Sequence, residues 1–153
     1  MTEFLLFMVE SRQFGLPVSH IDHVVRMVQV TQIIAAPKAV AGIINYHGTI
    51  IPVFSIRDRF SFRERPELPE DILIITHSQK RSAALIADSV VGVVSLTDEV
   101  IHADEILPSI TGIQGVIRTN DGMILISDLD RFLLPEEEKI LGEILPAHGE
   151  GLE

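Results

Sequence analysis

Cysteine and tryptophan are both absent from the 153 residues, and seven Phe and one Tyr supply all the aromatic side chains. Without cysteine there is no disulfide framework, no thiolate metal site and no cysteine nucleophile. A chain of this length buries roughly 70% of the surface its unfolded form exposes, so it needs no such staples to fold. Apolar runs are short, and none approaches the ~20 residues of a membrane-spanning helix. The opening Met1-Thr-Glu-Phe-Leu-Leu-Phe has no basic n-region and no cleavage signature, so no signal peptide is read. A soluble, cytoplasmic protein is expected. Basic charge is also scarce: 12 Lys+Arg stand against 22 Asp+Glu, for a net charge of −10. That argues against nucleic acid and against docking on an anionic membrane, both of which need clustered cations.

The acidity is uneven. Residues 135–153 hold six Glu and Lys139, for −5, while residues 1–134 hold 16 acids and 11 bases, also −5. Half of the net charge therefore sits in a C-terminal segment. Its apolar positions Ile140, Leu141, Ile144 and Leu145 suit a helix over 136–145, followed by a Gly- and Pro-containing end read as disordered.

The remainder reads as about ten short strands punctuated by turns, a pattern of barrels or a sandwich. Apolar or β-branched runs cover residues 4–9, 12–18, 24–34, 42–45, 49–56, 72–76, 83–87, 90–96, 115–119 and 123–126. Glu10-Ser11 reads as a polar turn, and Tyr46-His47-Gly48 and Asn120-Asp121-Gly122 are hairpin signals. Pro52 implies a strand end, a bulge or an edge within its run. Short helices follow two of the hairpins, where Ser55-x-x-Asp58 and Ser127-x-x-Asp130 resemble capping boxes.

These features repeat. Gly42-Ile-Ile-Asn, Gly48 and Ser55-x-x-Asp58-Arg59-Phe60 parallel Gly115-Val-Ile-Arg, Gly122 and Ser127-x-x-Asp130-Arg131-Phe132. Upstream, Leu16-x-Val18-x-x-Ile21-x-x-Val24-Val25 parallels Leu85-x-Ala87-x-x-Val90-x-x-Val93-Val94. Two halves follow, joined near residues 63–71, where charge and Pro66 and Pro69 concentrate. Either half alone has a marginal core, so the two are expected to pack on each other and leave a groove.

A search for catalytic chemistry ends empty. There is no Gly-x-Ser-x-Gly elbow and no phosphate-binding glycine loop. His20 and His23 have ligand spacing but no third ligand in register, and they read as edge histidines. His77, His102 and His148 read as solvated. Asp98-Glu99 and Asp104-Glu105 read as solvated acids in a connector, and Asp88 as a turn holder bonding local N–H groups. No cofactor and no metal are expected. The apolar surplus, with a mean hydropathy of +0.33, reads as a shared core plus surfaces for protein partners.

Over residues 3–134 the chain resembles the CheW-like family of chemotaxis coupling proteins. The markers are Phe4-Leu-Leu-Phe, Phe14-Gly-Leu, Pro37, Gly42-Ile-Ile-Asn45-x-x-Gly48 and Ile50-Ile-Pro52-Val, then Ala87-Asp88-Ser-Val90, Thr111-Gly112 and Met123-Ile-Leu-Ile. The resemblance implies a mainly β fold of two five-stranded SH3-like β barrels about a shared hydrophobic core, with short helices after the hairpins. It places a first barrel at about 14–62, a second at about 71–134, and strand 3–9 packed with them, leaving 135–153 as an acidic helix and tail. It implies no catalysis. The implied partners are the regulatory domain of a CheA-type histidine kinase and the cytoplasmic tip of methyl-accepting chemoreceptors. Receptor contact would fall on Ile21, Val24, Ala41, His47, Gly48 and Val90, and kinase contact on Val28 and Val30. This chain departs from its relatives at the hairpin, which usually reads Asn-Leu-Arg-Gly, because His47 cannot match the permanent charge and fork of Arg. Position 41, often Lys, is Ala, and the usual Asp after the second hairpin strand is Ser55. A less basic groove implies an unusual receptor, or a pathway controlling pili or gene expression.

Overall fold

The computed structural model describes residues 2–63, 65–96, 101–102, 113–119 and 122–145. Strands β1 (Thr2–Val9) and β2 (Arg12–Pro17) form a hairpin through Glu10 and Ser11. Both turn residues have positive φ, 50° and 63°, as a two-residue turn between twisted strands requires. A 3-10 turn, Val18–His20, leads into β3 (Ile21–Arg26). A second hairpin joins β4 (Val40–Tyr46) to β5 (Thr49–Phe54). Pro52 is tolerated inside β5 because the ladder to the strand on its other side begins only at Val53. Helix α1 (Ile56–Arg59) starts where the Ser55 hydroxyl accepts the Asp58 N–H at 3.2 Å.

The second half repeats the series as β6 (Ile72–His77), β7 (Ser82–Ala87), β8 (Ser89–Leu96), the short β9 (Ile101–His102), β10 (Ile113–Thr119) and β11 (Gly122–Ser127). A 3-10 turn at Leu129–Arg131 and helix α2 (Pro135–Ile144) follow. The cap of that turn is Asp128, whose carboxylate accepts the Asp130 N–H at 3.0 Å, one residue later than the expected Ser127. Asn120, Asp121 and the acid pairs at 98–99 and 104–105 lie outside the described residues.

The fold is mainly β, in two sheets. One has five strands in the order β3-β6-β7-β5-β4, and the other has six in the order β8-β1-β2-β11-β10-β9. The sixth strand is the two-residue β9. Pairing does not follow the sequence halves, so boundaries at 14–62 and 71–134 do not describe the sheets. Each half instead lends its first hairpin to the other: β1-β2 joins β8, β10 and β11, while β6-β7 joins β3, β4 and β5. Written through the internal repeat, the two strand orders are equivalent.

The reason lies in the lent strands, which are apolar on both faces and need a core on each. In β1, Phe4 and Leu6 pack with Ile117, Ile124 and Ile126, while Leu5 and Phe7 enter the core shared by the sheets. In β6, Leu73 and Ile75 pack with Ile44, Ile51 and Val53, while Ile74 faces the shared core. A hairpin kept within its own half would leave one of these faces bare.

The β-branched run expected to be extended over 24–34 stops being a strand at Arg26. There the Met27 N–H bonds to the Asp71 carbonyl at 2.9 Å and the chain leaves the ladder. It then crosses β4, where Thr31 and Ile43 exchange backbone hydrogen bonds of 2.9 and 2.8 Å.

Candidate functional site

β3 and β8 occupy equivalent positions in the repeat, each at one edge of its sheet. Residues opposite each other in an antiparallel ladder point to the same face. Val24 lies opposite Ile74, and Val93 lies opposite Leu5; both partners belong to the shared core. Val24 and Val93 therefore point along the core-facing side of the two sheets, yet they are 43% and 55% exposed. The core runs out at these edges and leaves apolar walls open to solvent. Ile21 and Val90, at the start of the same strands, are half-buried against the shared core. The turn Val18–His20 that feeds β3 packs on β1, the neighbour of β8.

The β4-β5 tip stands beside β3. His47 (φ 52°) and Gly48 (φ 86°) form its two-residue turn, and the Asn45 carboxamide oxygen accepts the Gly48 N–H at 2.9 Å. A Cβ at Gly48 would meet nothing within 4 Å, so glycine is there for its backbone conformation. The Tyr46 hydroxyl and His23 Nδ1 are hydrogen-bonded, and the His47 ring lies edge-on to Tyr46 with centroids 4.3 Å apart. The His23 and His47 centroids are 6.4 Å apart. Ala41 is at the far end of β4, about 20 Å along the strand from the tip at ~3.3 Å per residue. It lines a separate cleft of about 560 Å³ with Lys38, Ser55, Arg57 and Arg65.

Val28 and Val30 follow β3 in the irregular segment. Val28 is half exposed and lines a groove of about 400 Å³ with Met27, Gln29, Leu68 and Pro69. Val30 packs against the core inside the five-stranded sheet. The two therefore sit apart from the tip, beside the 66–69 connector.

Asp88, at the passage from one sheet to the other, is more than a local turn holder. Its carboxylate accepts the Glu10 N–H at 3.0 Å, Arg57 at 2.6 Å and Arg65 at 2.8 Å. Arg57 also pairs with Glu10, and Arg65 forks onto Asp71 at 2.7 and 2.9 Å. Asp71 is almost wholly buried. Burial works against its charge, but the Arg65 fork and the Leu68 N–H prevail and hold it below the usual carboxylate range. The hydrogen bond that Arg65 donates to Asp71 in turn raises the pKa of Arg65. This network ties the β1-β2 turn, α1, the 63–71 connector and the β7-β8 junction together around the fold.

Other sequence-selected groups find ordinary partners. His77 Nδ1 lies 2.8 Å from Asp22 Oδ1, and the His20 carbonyl accepts the Thr76 hydroxyl at 2.6 Å. Among the described residues no three His, Asp or Glu side chains converge as a metal site requires. No helix among them is long and apolar enough to cross a membrane.

The decisive comparison is with protein families: residues 3–137 match the CheW-like domain. The chain belongs to the CheW-like domain family. It is 24% identical over 149 residues to the chemotaxis protein CheW of Klebsiella aerogenes, covering 95% of this chain and 90% of that protein. The CheW of Treponema pallidum is 23% identical over 151 residues, covering 93% and 88% of the two chains. The crystal structure of the scaffolding protein TtCheW from Thermoanaerobacter tengcongensis superposes with a TM-score of 0.75 at 28% identity, over 88% of this chain and 89% of that one. Membership of this family accounts for the two-sheet fold.

Family spacing pointed to Ile21, Val24 and Val90, and the fold sets all three along β3 and β8. It missed Val93, although the internal repeat aligns Val93 with Val24. It also missed His23 and Tyr46, which stand beside His47.

Proposed function

We propose that this chain is a non-catalytic adaptor that couples the cytoplasmic tips of chemoreceptors to a CheA-type histidine kinase. The observation that carries this reading is that Val24 on β3 and Val93 on β8 face the core side of their sheets and yet remain exposed; we take them as the walls of a groove between the two edges. A receptor helix lies in that groove, with Ile21 and Val90 beneath it and His47 and Gly48 at its rim. Gly48 lets the partner approach the backbone closely. Ala41, at the other end of β4, meets a receptor only through a separate stretch of contact. The kinase regulatory domain meets Val28 and Val30, beside the 66–69 connector. The protein works on the cytoplasmic side, within receptor arrays.

A second reading, a divergent scaffold in a pathway controlling pili or gene expression, is favoured by one observation. The tip carries His47 where relatives usually carry Arg, and position 41 is Ala where Lys is common. The experiment is co-purification of the tagged chain with CheA-type kinase and chemoreceptors from the same cell. Both are expected to be retained. Val24→Glu with Val93→Glu releases receptors and keeps kinase, while Val28→Glu does the reverse. Retention of neither partner by the unaltered chain sinks the adaptor reading; the receptors recovered identify the pathway.

A further inference from the structure

Asp71 stands between the 66–69 connector and β6, and its side chain is only 3% exposed. Each of its hydrogen-bonding groups is engaged. Its N–H donates to the Leu68 carbonyl at 2.9 Å, and its carboxylate accepts the Leu68 N–H, also at 2.9 Å. These bonds close the turn Leu68-Pro69-Glu70-Asp71 from both ends, with proline at the position whose φ it sets. The Asp71 carbonyl accepts the Met27 N–H at 2.9 Å, where the chain leaves β3. The two carboxylate oxygens receive the Arg65 fork at 2.7 and 2.9 Å. Arg65 is anchored in turn by Asp88 at 2.8 Å and by the Pro66 carbonyl at 3.0 Å.

The groove beside Val28 lies between the two pieces of chain that Asp71 ties down. All of its described lining residues come from segments 27–32 and 67–69. Val28 and Leu68 both remain exposed, and Leu68 joins none of the hydrophobic clusters among the described residues. Fixing the turn therefore orders apolar surface rather than core. A buried carboxylate–guanidinium pair adds little net stability, because desolvation offsets most of the attraction. What this pair adds is geometry, since it holds a connector of charges and prolines in one conformation with Leu68 and Pro69 lining the groove.

We propose that Asp71 is the positioning residue of the kinase contact, and that Leu68 and Pro69 extend that contact across the groove from Val28. The proposal rests on the reading that the kinase regulatory domain meets Val28. The groove receives an apolar side chain of that domain, because Glu67 is the one charged group among its described lining residues. Asp71 touches no partner itself; it acts through Leu68 and Met27.

The test is a double-mutant cycle on the full chain, titrated calorimetrically with the regulatory domain of the CheA-type kinase from the same cell. Leu68→Ser is expected to weaken binding about five- to thirtyfold, the range of one truncated interface anchor, and to leave the urea midpoint near the parent's. Asp71→Asn is expected to weaken binding to a similar extent and to speed amide exchange at Leu68 and Met27. The two together should weaken it little more than either alone, because one acts through the other. Should Asp71→Asn not fold, Arg65→Lys, which keeps the charge and loses the fork, takes its place in the cycle. Leu141→Ala lowers stability away from the groove and is expected to leave the affinity unchanged. Parent-like binding by Leu68→Ser, or effects of the two substitutions that multiply in full, overturns the proposal. So does an equal loss in Leu141→Ala, which would make stability rather than position the cause. The kinase reading fails separately, if the parent does not bind or Val28→Glu binds as the parent does, and the proposal then falls with it.

Discussion

The Arg59 guanidinium on α1 forks across the Glu137 carboxylate on α2 at 2.6 and 3.2 Å, and it also donates to the Phe132 carbonyl at 2.9 Å. The same carboxylate accepts the Leu134 N–H at 2.8 Å, so Glu137 caps its own helix while anchoring it. Arg81 holds the neighbouring Glu138. Beneath these pairs Leu141 is fully buried, and Leu145 joins it in the shared core with Phe132 and Leu133. The acidic segment therefore includes a helix that completes the core. Leu141→Ala should cost about 2–4 kcal/mol, the usual range for emptying a buried leucine site. Arg59→Ala should cost about 2 kcal/mol, because it strands a half-buried carboxylate. Urea unfolding checks both; an unchanged midpoint for Leu141→Ala would show that α2 does not belong to the cooperative core.

Acid should weaken the same contacts. Burial disfavours the charge of Glu137, but the Arg59 fork and the Leu134 N–H overcome it, so its carboxyl is depressed in the folded chain, as is that of Asp71. In the unfolded chain both return to ordinary carboxylate values near ~4. Above about pH 5 both states are ionised and the stabilisation is complete. As the pH falls below about 4, the unfolded chain takes up protons first, and stability is lost as pH passes through the folded values. The urea midpoint should therefore drop steeply on that acid side. Glu137→Gln and Asp71→Asn should lower the midpoint at neutral pH and flatten the acid slope. Parallel pH curves for variant and parent would contradict this linkage.

Gly42 controls the segment that carries Val28 and Val30. A Cβ there would run into the Thr31 carbonyl oxygen and stand 2.7 Å from a Val30 methyl, so the backbone of residues 30–31 would have to shift. The contact exists because Thr31 pairs with Ile43 along the edge of β4. Gly42→Ala should break that bridge, cost about 1–3 kcal/mol in overpacking and weaken kinase retention more than receptor retention. Amide exchange at Thr31 and Ile43 reads the bridge directly. Protection there equal to the parent's would refute the steric account.

How much of this was legible in the sequence can be judged residue by residue. The polar pair Glu10-Ser11 between two apolar runs located one turn, and Gly48, where positive φ comes easily, located another. The repeat located two equivalent halves. The exchange of hairpins was hidden, since a run such as Phe4–Phe7 shows that both faces need covering but not which half supplies the cover. β-branched propensity extended β3 past Arg26, because the bond that ends it comes from Asp71, 44 positions away by sequence number. Asp88 looked local for the same reason: its partners Glu10, Arg57 and Arg65 are brought to it only by the fold. At the groove, Val93 was readable from its alignment with Val24, whereas the meeting of His23 with Tyr46 and His47 depends on the sheet's curl.

The hairpin exchange makes a strong prediction about the halves. Residues 1–66 alone contain β1 and β2 without β8 and β11, and β3 to β5 without β6 and β7. Residues 67–153 carry the reciprocal deficit. Each fragment would expose one face of a central strand that the intact fold buries, and a chain of either length has little reserve to absorb that loss. Expressed separately, neither should show dispersed amide resonances or cooperative thermal unfolding. Mixed at equal concentration, they should recover both, because every missing pairing is supplied in trans and Arg65 can still fork onto Asp71. Recovery should depend on concentration, as association does. A fragment that unfolds cooperatively by itself would mean that a half closes its own sheet, and the exchange would then be no condition of folding.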